Sequence, residues 1–427
     1  MRDPSSLHPT AGPRPCETHR ALAWTMVGVA TVLIFARTPD ILIEGRMFAE
    51  EGVIYFRDAK VGTWYDALLA PRLGYFSAFN KLVALAASAV PLEAAAHVTT
   101  LSALALQLVV VWIIARSDAF GPPWGRVLAA LAPLLAVPSA EVWLNTINSQ
   151  FHLAIGTAVL LATGPAAVSP VFRLSFLLLA GATGPVSVTL APLFVLKAAR
   201  SRTLADSQEA VLLCVLAVIQ GVFMAKGLAG GERAGSVSIA ALVGAFGIKN
   251  LAAPWLGDSA GLLAFELLTG RRLEKGLTIG GLVAFASLLA MLLLRSAPSR
   301  WLAGAALVVA LVSYAGALGK DPWILLIPTA AGRYAYAPNV LLLLALVATA
   351  VSTNPARVRL LAGALAGWAL IVGLTQFWTD EAFFRGPSWR GAVAAWRADP
   401  TADRISIWPV PWFITLPHTA PDSAQQR

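Results

Sequence analysis

Apolar runs long enough to cross a lipid bilayer recur along most of this chain. A helix needs about 20 apolar residues to cross the hydrocarbon core, and about 17 is the short end of the range. The run at 172–196 is broken at Gly184 and Pro185, and the run at 236–268 is also interrupted. The pattern predicts an all-α polytopic membrane protein with roughly 11 transmembrane helices, in a range of about 9–13. The runs lie near residues 21–36, 74–90, 94–115, 125–138, 150–164, 172–196, 209–227, 236–268, 276–295, 301–318, 334–351 and 358–378.

The composition agrees with this fold class. Apolar residues make up 57% of the 427 residues, which is more hydrophobic surface than a soluble core of this size could bury. Because the connections are mostly short, we expect one transmembrane domain over 21–378, with a cytoplasmic tail at 1–20 and a short tail at 379–427. Cys16 and Cys214 are the only cysteines, so a disulfide framework and a cysteine-based metal site are excluded.

Basic residues predict the orientation. Arg2, Arg14 and Arg20 precede the first run, and the IFARTPD sequence at its end lacks a signal-peptidase pattern. We therefore expect a retained anchor that starts in the cytoplasm and places the first loop, 37–73, outside the cytoplasmic (inner) membrane. The net charge of +9 reflects basic loops facing an anionic leaflet, and its scattered distribution argues against nucleic-acid binding. Basic residues also mark further turns that we expect in the cytoplasm. For the spans to alternate in direction between these turns, one or two of them must be half-spans or re-entrant segments. The residues are Arg116, Arg126, Lys197, Arg200, Arg202, Arg295, Arg300, Arg357 and Arg359.

Two adjacent carboxylates, Glu50 and Glu51, lie in the first loop within MFAEEGVIYF. Adjacent residues on a helix point about 100° apart, so we expect only one of them to face a reaction site. Apolar residues at helical spacing from Val61 to Leu69, including Trp64, then predict an amphipathic helix in the membrane interface. The alternative is that the acidic pair only caps or solvates the start of an interfacial helix.

An acid just after the first span, followed by an interfacial helix and a return span, resembles the GT-C superfamily of integral membrane glycosyltransferases. The sequences EEGVIYF, NTINSQFHLA and GRYAYAPNVLLLL are similar to uncharacterised bacterial members. The resemblance implies a GT-C-like fold and inverting transfer of a sugar from a polyprenyl phosphate. The acceptor would be a hydroxyl of a glycan, lipid or protein on the extracytoplasmic face. Two departures are the glutamate at Glu51, where an aspartate is often found, and the short C-terminal segment.

Such a transfer needs a carboxylate that takes the acceptor proton. Glu50 or Glu51 is the expected catalytic base, and the other would position it, bind acceptor hydroxyls or join a metal site. A divalent ion, Mg²⁺ or Mn²⁺, is the cofactor that this chemistry could use. The sequence does not identify the residues that would bind it.

A second polar group lies in PSAEVWLNTINSQFHLAI. On a helix its polar residues would form one stripe beside Trp143, suited to binding the sugar or the acceptor. The alternative is an exposed turn at 139–150. His152 is better explained as an interior hydrogen-bonded residue than as a metal ligand. The stripe consists of Glu141, Asn145, Asn148, Ser149 and His152.

Three cations at or within the apolar runs are candidates for binding the phosphate of the donor. Arg333 precedes Tyr334 at the start of a span, and guanidinium makes forked bonds to phosphate oxygens. Lys249 and Lys81 are embedded in apolar runs, where each would cost about 2.5–3.5 kcal/mol unless paired or hydrated. The alternative for all three cations is snorkelling to the interface, and it is the stronger interpretation for Lys81.

The main rival to an enzyme is a non-catalytic flippase for lipid-linked saccharides, or a small-solute transporter. Transport predicts broken helices paired in two halves with ionisable residues at mid-membrane. The interrupted segments at 181–187 and 227–260 favour it. It gives no role to the acidic pair in the first loop.

Overall fold

The structure is a computed structural model that describes residues 15–230, 238–317, 322–327, 330–352, 354–379 and 382–418. The basic residues expected at positions 2 and 14 lie outside these ranges. The α-helices in chain order are α1 (Pro15–Arg37), α2 (Pro39–Glu44), α3 (Arg57–Val61), α4 (Trp64–Leu69), α5 (Ala78–Ser88), α6 (Leu92–Arg116), α7 (Pro123–Leu135), α8 (Ser149–Ala162), α9 (Pro170–Ala182), α10 (Pro185–Val188), α11 (Ala191–Ser201), α12 (Leu204–Ala229), α13 (Ile239–Phe246), α14 (Ala253–Leu256), α15 (Ala260–Thr269), α16 (Arg272–Leu293), α17 (Ala297–Ala317), α18 (Arg333–Ser352), α19 (Ala356–Thr375) and α20 (Trp389–Ala398). Short 3₁₀ turns lie at Asp118–Phe120, Ala140–Val142, Gly257–Ser259, Pro322–Leu326 and Ala382–Phe384, and π-helical turns at Glu51–Phe56 and Gly247–Ala252.

The chain is a mostly helical, multi-pass membrane protein. Within the described residues, eight helical segments are long and apolar enough to cross a membrane. Helices α5, α7, α8 and α9 are also apolar but have only 10–17 residues, so four of the predicted spans are shorter than a bilayer crossing requires. The eight segments are Arg20–Arg37, Leu92–Arg116, Leu204–Ala229, Ile239–Thr269, Arg272–Leu293, Ala297–Ala317, Arg333–Ser352 and Ala356–Thr375.

The bundle has two chemically different ends. One end, which we call the loop end, holds the first loop, where the Arg37 guanidinium donates to Ser139 Oγ at 2.8 Å. At the other, the basic end, Arg116 donates to the Ala167 carbonyl at 2.9 Å and Lys197 pairs with Asp206 at 3.2 Å. The basic residues predicted to mark cytoplasmic turns lie at this second end.

The segment Ile239–Thr269 forms a hairpin instead of one continuous helix. It turns at Gly257, whose φ of 56° is in the left-handed region, and Ile248 of the first arm and Ala260 of the second belong to one apolar cluster. The indole of Trp255 donates to the carbonyl of Leu365 in the middle of α19, at 3.2 Å. The hairpin therefore packs against the middle of α19. This agrees with the interruption predicted within 236–268.

The prediction of one continuous interfacial helix through Val61–Leu69 is wrong, because the structure has two short helices there. Helix α3 ends at Val61 and α4 begins at Trp64, because Thr63 is extended and accepts a hydrogen bond from the Asp66 amide as an N-cap. The apolar side chains still point outward: Trp64 is 67% exposed and Leu69 is 64% exposed. The two short helices can thus lie at a membrane surface, as an interfacial segment would.

Part of the predicted C-terminal tail is folded against the first loop. An antiparallel pair of strands, β1 (Arg404–Ser406) and β2 (Phe413–Thr415), packs with Trp389 of α20 on Met47 and Phe56. This small sheet departs from the all-α prediction. It forms because alternate residues of both strands are apolar and cover the loop.

Candidate functional site

The two carboxylates of the first loop have different environments. Glu51 is 2% exposed, and its Oε2 accepts hydrogen bonds from the Thr146 amide at 2.6 Å and the Thr146 hydroxyl at 2.5 Å. Its Oε1 accepts from the Phe48 amide at 3.3 Å. Burial raises the pKa of the Glu51 carboxyl, opposed by the Thr146 hydrogen bonds and by the charge of Arg46. Glu51 therefore ties the first loop to the 139–148 segment.

Glu50 is partly exposed, and no described residue lies within hydrogen-bond or ion-pair distance of its carboxylate. Its charge acts on the guanidinium of Arg333. The left-handed conformation of Ala49 (φ 44°) and the π-helical turn that begins at Glu51 separate the directions of the two acids. Glu50 is consequently the carboxylate that a bound molecule can reach.

Arg46 is a buried cation that the sequence pattern did not single out. Its guanidinium is fully buried and donates to the carbonyls of Trp143 and Phe383, the latter at 2.6 Å. It lies 4.7 Å from the centroid of the Phe48 ring. Burial lowers the pKa of Arg46 to about 9, partly offset by the charge of Glu51, so the side chain is cationic at neutral pH. Arg46 thus joins the first loop, the 139–148 segment and the C-terminal part of the chain.

The C-terminal segment pairs directly with the residues that precede the acids. The Ala49 amide donates to the Trp408 carbonyl at 2.6 Å, and the Trp408 amide donates to the Met47 carbonyl at 3.0 Å. The indole of Trp408 donates to the Pro387 carbonyl at 2.7 Å. The position of Glu50 therefore depends on residues more than 300 positions away in sequence, which no local pattern could reveal.

The polar residues 141–152 do not form the predicted helical stripe. Only three residues, Ala140–Val142, form a 3₁₀ turn before α8 begins at Ser149. The side-chain amides of Asn145 and Asn148 both donate to the Glu141 carbonyl, at 2.9 and 2.8 Å, where a helix would place a backbone amide. The alternative of an exposed turn is wrong too, because Glu141, Asn145 and Asn148 are buried.

Trp143 offers no ring face to a sugar in this structure. Its indole is fully buried, with the Arg37 guanidinium 4.3 Å from the ring centroid and Phe377 edge-on at 6.0 Å. Its Nε1 donates to Thr38 Oγ1 at 3.2 Å. The expected sugar contact is replaced by packing that joins the end of α1 to the 139–148 segment.

His152 has the interior role that was expected of it. The ring is 3% exposed, with Nε2 3.2 Å from the Val142 carbonyl and Nδ1 3.4 Å from the Tyr336 hydroxyl. These contacts hold α8 against the 139–148 segment. They leave no ring nitrogen for a sugar.

Arg333 forms an ion pair with Glu141. The Glu141 carboxylate accepts from the Arg333 guanidinium and, at 3.0 Å, from its backbone amide. A second guanidinium nitrogen donates to the Tyr334 hydroxyl at 3.2 Å. The Arg333 side chain is nevertheless 38% exposed. Arginine has five N–H donors, so this side chain can bind an anion while it stays paired.

The two lysines proposed for the donor phosphate bind different parts of the protein. Lys249, in the π-helical turn of the hairpin, is buried and donates to the carbonyls of Ile327 and Ala330, at 2.7 and 2.5 Å, with Glu141 acting on its charge. Lys81 donates to the Ala67 and Ala70 carbonyls at 2.9 and 2.5 Å. Lys81 therefore caps the end of α4 and does not snorkel. Its amino group is thus occupied by protein carbonyls.

Two buried polar atoms beside the first loop lack hydrogen-bond partners. Tyr55 Oη and Asn80 Oδ1 are unpaired, although Asn80, Ser77 and Tyr75 lie close enough to act electrostatically on the tyrosine. Tyr55 packs with Ala49 in one apolar cluster. Tyr55 and Asn80 are thus buried polar side chains near the first loop, a feature that the sequence pattern did not indicate.

The described residues contain no group of three or more His, Cys, Asp or Glu side chains that could hold a metal ion. The carboxylates of Glu141 and Glu50 both act on the positive charge of Arg333. The expectation of Mg²⁺ or Mn²⁺ therefore rests on the family resemblance alone.

The loop end thus combines a partly exposed carboxylate, a partly exposed arginine side chain and a second, paired carboxylate. This arrangement can accept a proton and bind an anion within one region. The chain matches no protein-family model, no curated protein and no solved structure.

Proposed function

We propose that this protein is an inverting membrane glycosyltransferase that moves a sugar from a polyprenyl phosphate to an acceptor hydroxyl on the extracytoplasmic face of the cytoplasmic membrane. The observation that carries the proposal is that a carboxylate able to accept a proton and a cation able to bind a phosphate both lie at the loop end. Glu50 is partly exposed and unpaired among the described residues, and it acts electrostatically on Arg333, whose side chain is also partly exposed.

Glu50 is assigned as the general base. The acceptor hydroxyl oxygen attacks the anomeric carbon while its proton passes to the Glu50 carboxylate. The bond from the anomeric carbon to the phosphate oxygen breaks, and the electron pair leaves with the polyprenyl phosphate. A single displacement of this kind inverts the anomeric configuration.

Arg333 is assigned to the departing phosphate, whose charge grows as the bond breaks. Its pairing with Glu141 fixes the guanidinium, and Tyr334 orients a second nitrogen. Because the fork is held before the donor binds, little side-chain entropy is lost on binding. Lys249 supports this end of the site through its interaction with Glu141.

Two distortions in the backbone support a functional site at the loop end. Glu51 and Lys249 each lie in a π-helical turn, Glu51–Phe56 and Gly247–Ala252. Such turns are rare in proteins, and where they occur they are often at functional sites. The extra residue in the turn redirects the neighbouring side chains at some cost in stability.

The proposal is tested with purified protein in vesicles and a panel of polyprenyl-phosphate hexoses and pentoses. The measurement is polyprenyl phosphate release by mass spectrometry, with added acceptor glycans. We expect release with at least one donor from wild type and none from Glu50→Gln. Failure of every donor to release the carrier lipid contradicts the proposal.

A transporter is the second candidate, and the hairpin at Ile239–Thr269 favours it because it carries the buried Lys249 into the bundle. The same vesicles separate the two functions. A flippase moves a fluorescent lipid-linked saccharide between leaflets without cleaving it and is insensitive to Glu50→Gln.

A further inference from the structure

A cleft lined by exposed guanidinium groups lies at the basic end of the bundle, far from the loop end. It is formed by the last turns of α11 and the first turn of α17 and has a volume of about 460 Å³. Lys197, Arg200 and Arg300 line it together with Leu193, Leu196 and Trp301. Its size falls within the range of small-ligand sites in proteins.

Several other cations at this end are bonded to the protein itself. Arg173 pairs with Glu209 at 2.5 Å, Arg126 donates to the Gly121 carbonyl at 3.0 Å, and Arg116 donates to Ala167. Arg200 and Arg300 are exposed and have no carboxylate partner among the described residues, a property that they share with Arg357 and Arg359. Unlike those two, Arg200 and Arg300 line one cleft.

The charge in the cleft is net positive. Lys197 is paired with Asp206, which also accepts from the Thr203 hydroxyl at 2.8 Å. The lysine charge is thereby compensated, and two uncompensated positive charges remain, on Arg200 and Arg300. The Arg200 guanidinium lies 5.7 Å from the centroid of the Trp301 ring, which keeps it over the cleft.

The apolar part of the lining favours a lipid over a free anion. Leu193 and Leu196 continue the cleft along α11, and Leu196 is 41% exposed to the surroundings of the bundle. Trp301 is partly buried, as expected for an indole at the level of lipid headgroups. A phosphate beside the two guanidiniums would leave an acyl chain lying along these leucines.

We propose that the cleft between α11 and α17 binds the headgroup phosphate of an anionic phospholipid in the leaflet at the basic end. Basic pockets between transmembrane helices on the cytoplasmic side suit such headgroups. Arg200 and Arg300 bind the phosphate oxygens, Trp301 lies beside the glycerol region, and the leucines contact one acyl chain.

The test uses Arg200→Gln/Arg300→Gln, which leaves the Lys197–Asp206 pair intact. Its matched control is Arg357→Gln/Arg359→Gln, which removes two exposed charges at the same end but outside the cleft. Each protein is placed in nanodiscs of phosphatidylcholine with increasing phosphatidylglycerol. Retained lipid is counted by native mass spectrometry and the melting temperature is measured.

We expect wild type and control to retain phosphatidylglycerol and to melt higher when it is present. The cleft variant should need about tenfold more phosphatidylglycerol for the same effect. Equal loss in both variants would mean general surface attraction and would overturn the proposal. Full stabilisation of wild type by inorganic phosphate alone, in phosphatidylcholine, would assign the cleft to a small anion and would also overturn it.

A cleft variant that misfolds is recognised by its melting temperature in pure phosphatidylcholine, where no anionic lipid contributes. In that case Trp301→Ala, which retains all three charges, serves as the second variant. It should lower retention of phosphatidylglycerol while phosphatidylcholine stability stays near wild type. Unchanged retention in Trp301→Ala contradicts the proposed lipid pose.

Discussion

Thr146 donates two hydrogen bonds to the same carboxylate oxygen of Glu51, one from its amide and one from its hydroxyl. Because Glu51 is 2% exposed and that oxygen is occupied by Thr146, an acceptor hydroxyl cannot reach the Glu51 carboxylate. The neighbouring Glu50 has no such partners among the described residues and is partly exposed. The two acids, indistinguishable in the sequence, therefore receive different expected roles: Glu51 positions the loop, and Glu50 acts as the base.

Glu50→Gln should lower sugar transfer by about 10²–10⁴-fold, because the amide keeps the size of the side chain but cannot accept a proton. Its melting temperature should match wild type, since no described contact is lost. Glu51→Gln is the matched control and should keep turnover within about tenfold of wild type. The measurement is release of polyprenyl phosphate. Full turnover in Glu50→Gln, or loss confined to Glu51→Gln, would reverse the assignment.

Glu51 should also make stability depend on pH. Its folded-state pKa is raised by burial, so the folded protein holds this proton more tightly than the unfolded chain. The stabilisation is complete below the unfolded pKa, near 4.5, and is lost as pH rises through the raised folded value. Melting temperatures from pH 4 upward should show this decline in wild type and a flatter profile in Glu51→Gln. Identical profiles would contradict a titrating Glu51.

The sequence could predict the helices and the acidic loop because apolar runs and adjacent charges are local features. It could not predict the 139–148 segment, since its polar spacing fits a helix. What prevents the helix is that Asn145 and Asn148 donate their side-chain amides to the Glu141 carbonyl. The roles of Arg46 and Trp408 could not be predicted from the sequence either, because each depends on contacts between parts of the chain that are distant in sequence.

Arg46→Met should destabilise the protein by about 3–5 kcal/mol, the usual cost of removing one partner of a buried charge group. The substitution leaves the Trp143 and Phe383 carbonyls without their donor and Glu51 without a compensating charge. Arg57→Met is the control, because Arg57 is an exposed cation of the same loop. Its pair with Asp58 should contribute no more than about 1 kcal/mol. Equal melting temperatures in the two variants would show that the buried guanidinium does not hold the loop.

The loop end should face the outside of the cell. In a background without Cys16 and Cys214, Arg57→Cys should react with a membrane-impermeant thiol reagent in intact cells. Arg57 is preferred to Thr63 as the labelling position, because Thr63 caps α4. Arg357→Cys, at the basic end, should react only after the cells are permeabilised. The opposite pattern would place Glu50 in the cytoplasm and contradict the proposed donor chemistry.

Arg333→Lys separates a phosphate ligand from an interfacial anchor. Lysine keeps the charge and can pair with Glu141, but it lacks the planar fork that binds two phosphate oxygens. A phosphate ligand should lose about tenfold or more in donor affinity or turnover, which corresponds to roughly 1.4 kcal/mol. Glu141→Gln is the companion variant: it leaves the guanidinium in place but removes its partner, so it should lower turnover less than Arg333→Lys while lowering the melting temperature more. An anchor, by contrast, should tolerate lysine with normal insertion and kinetics, and that result would remove Arg333 from the site.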